Sequence, residues 1–237
     1  VELASSTDVL ERIRGGLIVS VQAYPDSVLD TPETIALLAR CAEQNGAVGV
    51  RTESAARTAA VRARVDVPII GIVKRKHPGF EPYITSTFEE IDEIVAAGAD
   101  IVAFDATDRP RAGGAGVADL VQRVHERGAL AMADCSDGAD LAAAAAAGAD
   151  IIATTLAGYT AQTQGRTLPA LDLVAALARS HPFVICEGGI ATPELGRKAF
   201  EAGAAAIVVG TAITNVDALV RRFAAASVVT GHDPNAV

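Results

Sequence analysis

The sequence predicts an α/β protein folded as one closed (β/α)8 barrel, and three observations predict it. Eight apolar runs of four to six residues alternate with longer amphipathic or alanine-rich stretches. These runs lack strict in–out alternation, the pattern of parallel strands covered on both faces. A helix–glycine–strand marker recurs roughly every 50 residues, at Gly46, Gly98, Gly148 and Gly203, which is the span of two βα units. Four markers with eight strand candidates imply a TIM barrel. An open doubly wound sheet shares the alternation, but no Gly-rich dinucleotide fingerprint follows the first strand. Gly114-Ala115-Gly116, a fragment of one, follows a polar loop instead.

Taken in order, residues 1–16 read as an amphipathic helix on Val9, Leu10 and Ile13 that caps the bottom of the barrel. Strand candidates follow at 17–21, 47–50, 68–73, 100–104, 129–133, 150–154, 183–186 and 206–209. Helices are signalled between them. Thr31-Pro32-Glu33 is a cap followed by proline at the first helical position, and Thr192-Pro193-Glu194 repeats it for a helix ending near Gly203. Thr87 with Glu90 reads as a capping box for a helix ending near Ala97. The alanine run 142–147 permits close helix packing, and residues 228–237 read as a loose tail. No interdomain linker interrupts the chain, so residues 1–237 are expected to form a single domain.

Composition narrows the function. The chain has 237 residues, half of them hydrophobic, enough for a large core. Its net charge is −9 with no basic block, which argues against a nucleic-acid partner. No apolar run approaches the roughly 20 residues that span a bilayer. The first residues lack the order of a secretory signal, and Val1 suggests that residues precede it. Cys41, Cys135 and Cys186 are scattered and odd in number, so no disulfide framework is expected. A cytoplasmic protein is expected.

Chemistry in such barrels gathers where strands end and βα loops begin. Those positions hold Gln22, Arg51, Lys74-Arg75, Asp105 with Thr107, Asp134, Thr154-Thr155 with Tyr159, Glu187-Gly188-Gly189 and Gly210-Thr211. Lysine is rare here, three among twenty basic residues, and Lys74 closes an apolar run that aims its amine into the barrel mouth. Desolvation and a cationic neighbour such as Arg75 favour the neutral amine, a base or Schiff-base nucleophile; the alternative is a solvated cation. Glu187 likewise follows an apolar run, so Lys74 and Glu187 can form an acid–base pair, with a rim ion pair as the alternative for Glu187.

The glycines after strands seven and eight offer bare N–H groups where these barrels hold phosphate. Arg51 could clamp a phosphate or carboxylate, or pair with Glu53. Asp105 and Asp134 could bind sugar hydroxyls or orient Lys74. Cys135 and Cys186 read as core fillers. Of the histidines, His125 lies on a helix, His181 on the opposite rim and His232 in the tail. One histidine near the mouth, His77, makes a poor divalent site, so neither metal nor cofactor is expected.

These strand ends match a known family. The stretches Gly15 to Ala23, Gly46-Ala47-Val48-Gly49-Val50-Arg51, Pro68 to Arg75, Tyr83-Ile84-Thr85, Asp105-Ala106-Thr107 and Met132-Ala133-Asp134 carry the match. Thr154 to Thr160, Glu187-Gly188-Gly189-Ile190 and Val209 to Thr214 continue it in order over nearly the whole chain. In them the chain resembles the N-acetylmannosamine-6-phosphate 2-epimerases, isomerases of sialic acid breakdown. The resemblance implies inversion at C2 between N-acetyl-D-mannosamine 6-phosphate and N-acetyl-D-glucosamine 6-phosphate, without metal or redox cofactor. It implies Lys74 and Glu187 as the catalytic pair. It places Gln22, Arg51, Asp134 and Tyr159 at the substrate, and Gly188, Gly189, Gly210 and Thr211 at its phosphate.

One departure stands out. The family usually carries arginine where Asn215 stands, with proline where Val216 stands. Three outcomes are open: loss of that charge-assisted contact weakens binding, Arg51 or Arg75 supplies the charge, or the preferred substrate differs. Two other readings stay open: a Schiff-base aldolase acting on a phosphorylated sugar through Lys74, and a sugar-phosphate sensor without activity. No motif encodes an oligomeric state; barrels commonly dimerise through outer helices, which leaves a homodimer open.

Overall fold

The computed structural model describes residues 6–226. Helix α1 (Ser6–Ile13) precedes eight strands: β1 (Leu17–Ser20), β2 (Gly49–Glu53), β3 (Ile69–Ile72), β4 (Ile101–Asp105), β5 (Leu130–Asp134), β6 (Ile151–Ala153), β7 (Val184–Glu187) and β8 (Ala206–Val209). All neighbours are parallel and in sequence order, and β8 returns to β1 through Leu17 opposite Ile207, closing the barrel. Helices α2 (Pro32–Gln44), α3 (Ala55–Arg62), α4 (Phe88–Ala96), α5 (Val117–Glu126), α6 (Gly138–Ala146), α7 (Leu171–Leu177) and α8 (Pro193–Glu201) connect the strands, and α9 (Val216–Ala226) follows the last. The fold is a TIM barrel. Among the described residues no helix is long and apolar enough to cross a membrane.

The absence of polar alternation in the strands has a packing cause. One alternate set, including Ile18, Ile70, Ile72, Ile101, Met132, Ile151 and Ile185, packs together with Val9 and Ile13 of α1. The other set, including Val102, Phe104, Ala133, Ile152, Val184 and Cys186, packs under the helices. Away from β2 and the strands' carboxyl ends, both faces of the strands are therefore apolar, and α1 caps one end. Residues 228–237, read as a tail, and His232 lie outside the described residues.

The helix starts follow their signals. Thr31 accepts from the Thr34 N–H and Thr192 from the Leu195 N–H, and both arms of the Thr87–Glu90 capping box are present. The periodic glycines end helices in the left-handed conformation, as at Gly98 and Gly203 with φ of 100° and 102°. The second strand differs from its expected bounds. It starts at Gly49, not Ala47, and runs through polar Arg51, Thr52 and Glu53, which find ladder partners in Ile70, Gly71 and Ile72 of β3. Arg51 thus sits inside a strand and not beyond it.

Candidate active site

At the carboxyl end of the barrel the strands deliver a buried ion cluster. Arg51, 1 % exposed, is the largest fully buried side chain among the described residues. Its Nη2 donates to Asp134 Oδ2 at 2.6 Å, and its Nη1 to Asp134 Oδ1 at 3.1 Å and to Glu187 Oε2 at 2.7 Å. Burying such charges is tolerable only when each is paired, and here one guanidinium answers two carboxyl groups from β5 and β7. Desolvation opposes the Arg51 charge, but Asp134 and Glu187 more than offset it and hold the guanidinium protonated.

Glu187 is the last residue of β7. Its main chain is clamped by Thr154, whose hydroxyl donates to the Glu187 carbonyl at 3.0 Å and accepts from its N–H at 3.2 Å. Burial pushes the Glu187 carboxyl up to about 7; Asp134 adds to the rise, while Arg51, Thr155 and Lys74 oppose it.

Lys74 follows β3. Its main chain bridges Ile84 in antiparallel fashion, folding the intervening loop back over the strand end and bringing Tyr83 to the same cavity. The Lys74 ammonium donates to Gln22 Oε1 at 2.5 Å, and Gln22 Nε2 donates to Ser20 Oγ at 2.7 Å. Loss of water around the ammonium lowers its pKa, Arg51 acts in the same sense, and Glu53, Glu187 and Asp134 act against it. The neighbouring cation expected in that role, Arg75, instead turns outward to Glu90 and Glu93. Consecutive side chains beyond a strand diverge, so proximity in sequence misplaced it.

A cavity of about 650 Å³ opens over these groups. Gln22, Arg51, Lys74, Tyr159, Glu187, Gly188, Gly189, Gly210 and Thr211 all line it. Asp134 does not: it is fully buried behind Arg51 and Thr155. Asp105 is likewise buried, held by Arg109 and Thr107. Glu53, considered as the partner of Arg51, lies 3.9 Å from Arg57 instead. The loop after β8 turns on the Gly210 carbonyl, which accepts from Ile213 and Thr214, while Thr214 Oγ1 donates to the Ser20 carbonyl at 2.6 Å. Among the described residues no loop hydrogen bond takes the N–H of Gly189, Thr211 or Ala212. Such N–H groups suit an anion.

Gly189 has a φ of 73°, and a Cβ there would lie 2.3 Å from Leu168 Cβ. Gly189→Ala is expected to lower stability by about 1–3 kcal/mol, as overpacking and a left-handed backbone both resist the methyl. Urea unfolding measures it, and an unchanged midpoint would contradict the close approach.

Asn215 lines the cavity, but its side-chain oxygen is engaged by the main chain. Its Oδ1 accepts from the Ala218 N–H at 2.9 Å, capping α9. Neither arginine expected to replace its charge is free, since Arg51 and Arg75 are paired as described; Arg222 of α9 lines the cavity. His77 contacts Glu90 at 2.9 Å, and among the described residues no group of three or more His, Cys, Asp or Glu could hold a metal ion. Burial raises both buried thiols, Cys186 to about 11, which suits core fillers. Sequence reasoning missed Ser20, Tyr83, Arg222 and the placement of Thr155. Tyr83 stood in a matched stretch, but nothing local signalled that its loop folds back.

A closed barrel with an amine, a partly buried carboxyl and two glycine turns at its carboxyl-end mouth has the architecture of barrel enzymes. A family model described as "Putative N-acetylmannosamine-6-phosphate epimerase" matches residues 35–228, and the chain belongs to this family. The "Putative N-acetylmannosamine-6-phosphate 2-epimerase" of Synechococcus elongatus is 48% identical over 221 residues, covering 92% of this chain and 95% of that one. Its namesake in Escherichia coli is 48% identical over 203 residues, 86% and 87% of the two chains. Among solved structures, the N-acetylmannosamine-6-phosphate 2-epimerase from Clostridium perfringens superposes with a TM-score of 0.88 at 37% identity, covering 92% of this chain and 96% of that one.

Proposed function

We propose that the protein interconverts N-acetyl-D-mannosamine 6-phosphate and N-acetyl-D-glucosamine 6-phosphate by moving the proton on C2. The observation that carries this reading is an amine and a carboxyl lining one cavity, the first with its pKa lowered and the second raised to about 7. Such shifts bring a base and an acid toward the same pH, the condition for passing a proton in either direction. Once the sugar ring opens, C2 is α to the C1 aldehyde, so its proton leaves as charge flows into an enolate. Lys74 and Glu187 take the proton from one face and return one to the other, exchanging roles with direction. The Gly188-Gly189 and Gly210-Thr211 loops hold the phosphate by main-chain N–H groups, with Arg222 as the cation at the mouth. Gln22 fixes the Lys74 amine, and Tyr159 borders the sugar. Arg51 and Asp134 hold Glu187 in place.

The test is incubation with N-acetylmannosamine 6-phosphate in deuterated water, followed by proton NMR. The expected product is the glucosamine epimer carrying deuterium at C2. Borohydride trapping of substrate on Lys74 would instead favour the aldolase. Tight binding with no exchange at C2 would leave a sensor.

A further inference from the structure

The hydroxyl of Thr155 stands between the two carboxyl groups of the ion cluster. Its Oγ1 lies 2.6 Å from Asp134 Oδ1 and 3.1 Å from Glu187 Oε2. A threonine carries one hydroxyl proton, so it donates fully to only one of these oxygens at a time. Its neighbour Thr154 is committed to the Glu187 main chain, which leaves Thr155 as the side chain of β6's end that meets the Glu187 carboxyl. Glu187 Oε2 also receives Arg51 Nη1 at 2.7 Å, whereas among the described residues Oε1 makes no hydrogen bond. With Oε2 held from two sides, Oε1 is the oxygen left to exchange a proton with a molecule in the cavity.

We propose that Thr155 divides its single donor between Asp134 and Glu187 according to whether Glu187 is protonated, and so sets the pH at which Glu187 gives up its proton. When Oε1 carries a proton, charge drains from the carboxyl group, Oε2 becomes the weaker acceptor, and Thr155 donates to Asp134. When Glu187 ionises, Oε2 competes for the same hydroxyl, and a donor turned toward it stabilises the anion. Asp134 can release this donor because Arg51 still grips both of its oxygens. The other charged groups facing Glu187 are Arg51 from β2, Asp134 from β5 and Lys74 beyond β3; the Cys186 thiol, adjacent in the chain, packs in the outer core. Arg51 is a permanent cation. Of the contacts to the Glu187 carboxyl, Thr155 is thus the one that can reorient without changing its own charge. This is a positioning role, and it rests on the reading of Glu187 as a proton carrier.

Thr155→Val keeps the shape and removes the donor; Thr155→Ser keeps the donor. The carboxyl carbon of Glu187 is followed by NMR in 13C-glutamate-labelled, ligand-free protein, with Glu187→Gln assigning the signal. In parallel, the pH profile of kcat/KM is recorded with N-acetylmannosamine 6-phosphate. Thr155→Val is expected to move the Glu187 midpoint and the matching limb of the profile upward by about one pH unit, a tenfold change in proton affinity. Thr155→Ser is expected to leave both in place. An unchanged midpoint in the valine variant, or an equal shift in the serine variant, overturns the proposal. Wild-type protein inert on the substrate would count against the proposed function alone, because the ligand-free titration still judges Thr155.

Discussion

Lys74→Ala is expected to lower kcat for C2 epimerisation by about 10²–10⁴-fold, the usual contribution of a positioned acid–base group. The argument is local. Among the described residues Lys74 is the one amine lining the cavity, and the lowered pKa of its ammonium means that the base form appears at a lower pH than for a solvated lysine. Arg51 cannot replace it, because two carboxylates hold its guanidinium protonated. The side chain reaches into the open cavity and not the packed core, and its main-chain bridge to Ile84 does not need it, so the fold should survive. Unfolding free energy is expected within about 0.5 kcal/mol of wild type, as for a surface change. Single-turnover kinetics with a thermal melt on the same sample checks both halves. A variant with normal turnover would remove Lys74 from the mechanism, whereas loss of activity with loss of fold would point to a structural lysine.

Much of this architecture was legible in the sequence because barrels repeat. Each glycine that stops a helix, and each Thr-Pro-Glu or Thr-x-x-Glu start, is decided by groups within four residues of one another. The strand ends were legible too, since an apolar run followed by a polar residue locates a rim. Hence the rim positions of Lys74 and Glu187 could be read in advance. The ion cluster could not. Arg51 meets Asp134 across 83 residues and Glu187 across 136, and no spacing rule connects them. Read locally, Arg51 looked like a rim cation with Glu53 close by. The barrel instead turns it inward, where a lone charge would be untenable. Asn215 shows the converse: its departure from the pattern of the resembled family could be noted from the chain, but the capping bond to Ala218 appears only with α9 in place.

Arg51→Met tests that cluster where its effect is greatest, in stability. Removing one partner of a buried ion pair typically costs 3–5 kcal/mol, roughly, because it strands the other charge, and here two carboxyl groups lose one shared cation. The loss should depend on pH. In the wild-type protein Glu187 sits at about 7 against an ordinary 4.5, so the folded state holds its proton over a window in which the unfolded chain does not. Its contribution is fully present below about 4.5 and is lost as pH rises through about 7. Arg51 is the strongest influence holding the Glu187 pKa down. Without it that value climbs further, and the decline in stability continues on the alkaline side of neutrality. Urea unfolding is therefore expected to show a smaller gap between Arg51→Met and wild type at pH 5 than at pH 8. Adding Glu187→Gln to Arg51→Met should lessen the pH dependence, since one of the two carboxyl groups that lose the shared cation is gone. A loss equal at both pH values would mean that methionine fails to pack where the guanidinium lay, with charge playing no part. The double variant separates the two causes, because a packing defect would persist in it unchanged while an electrostatic one would shrink.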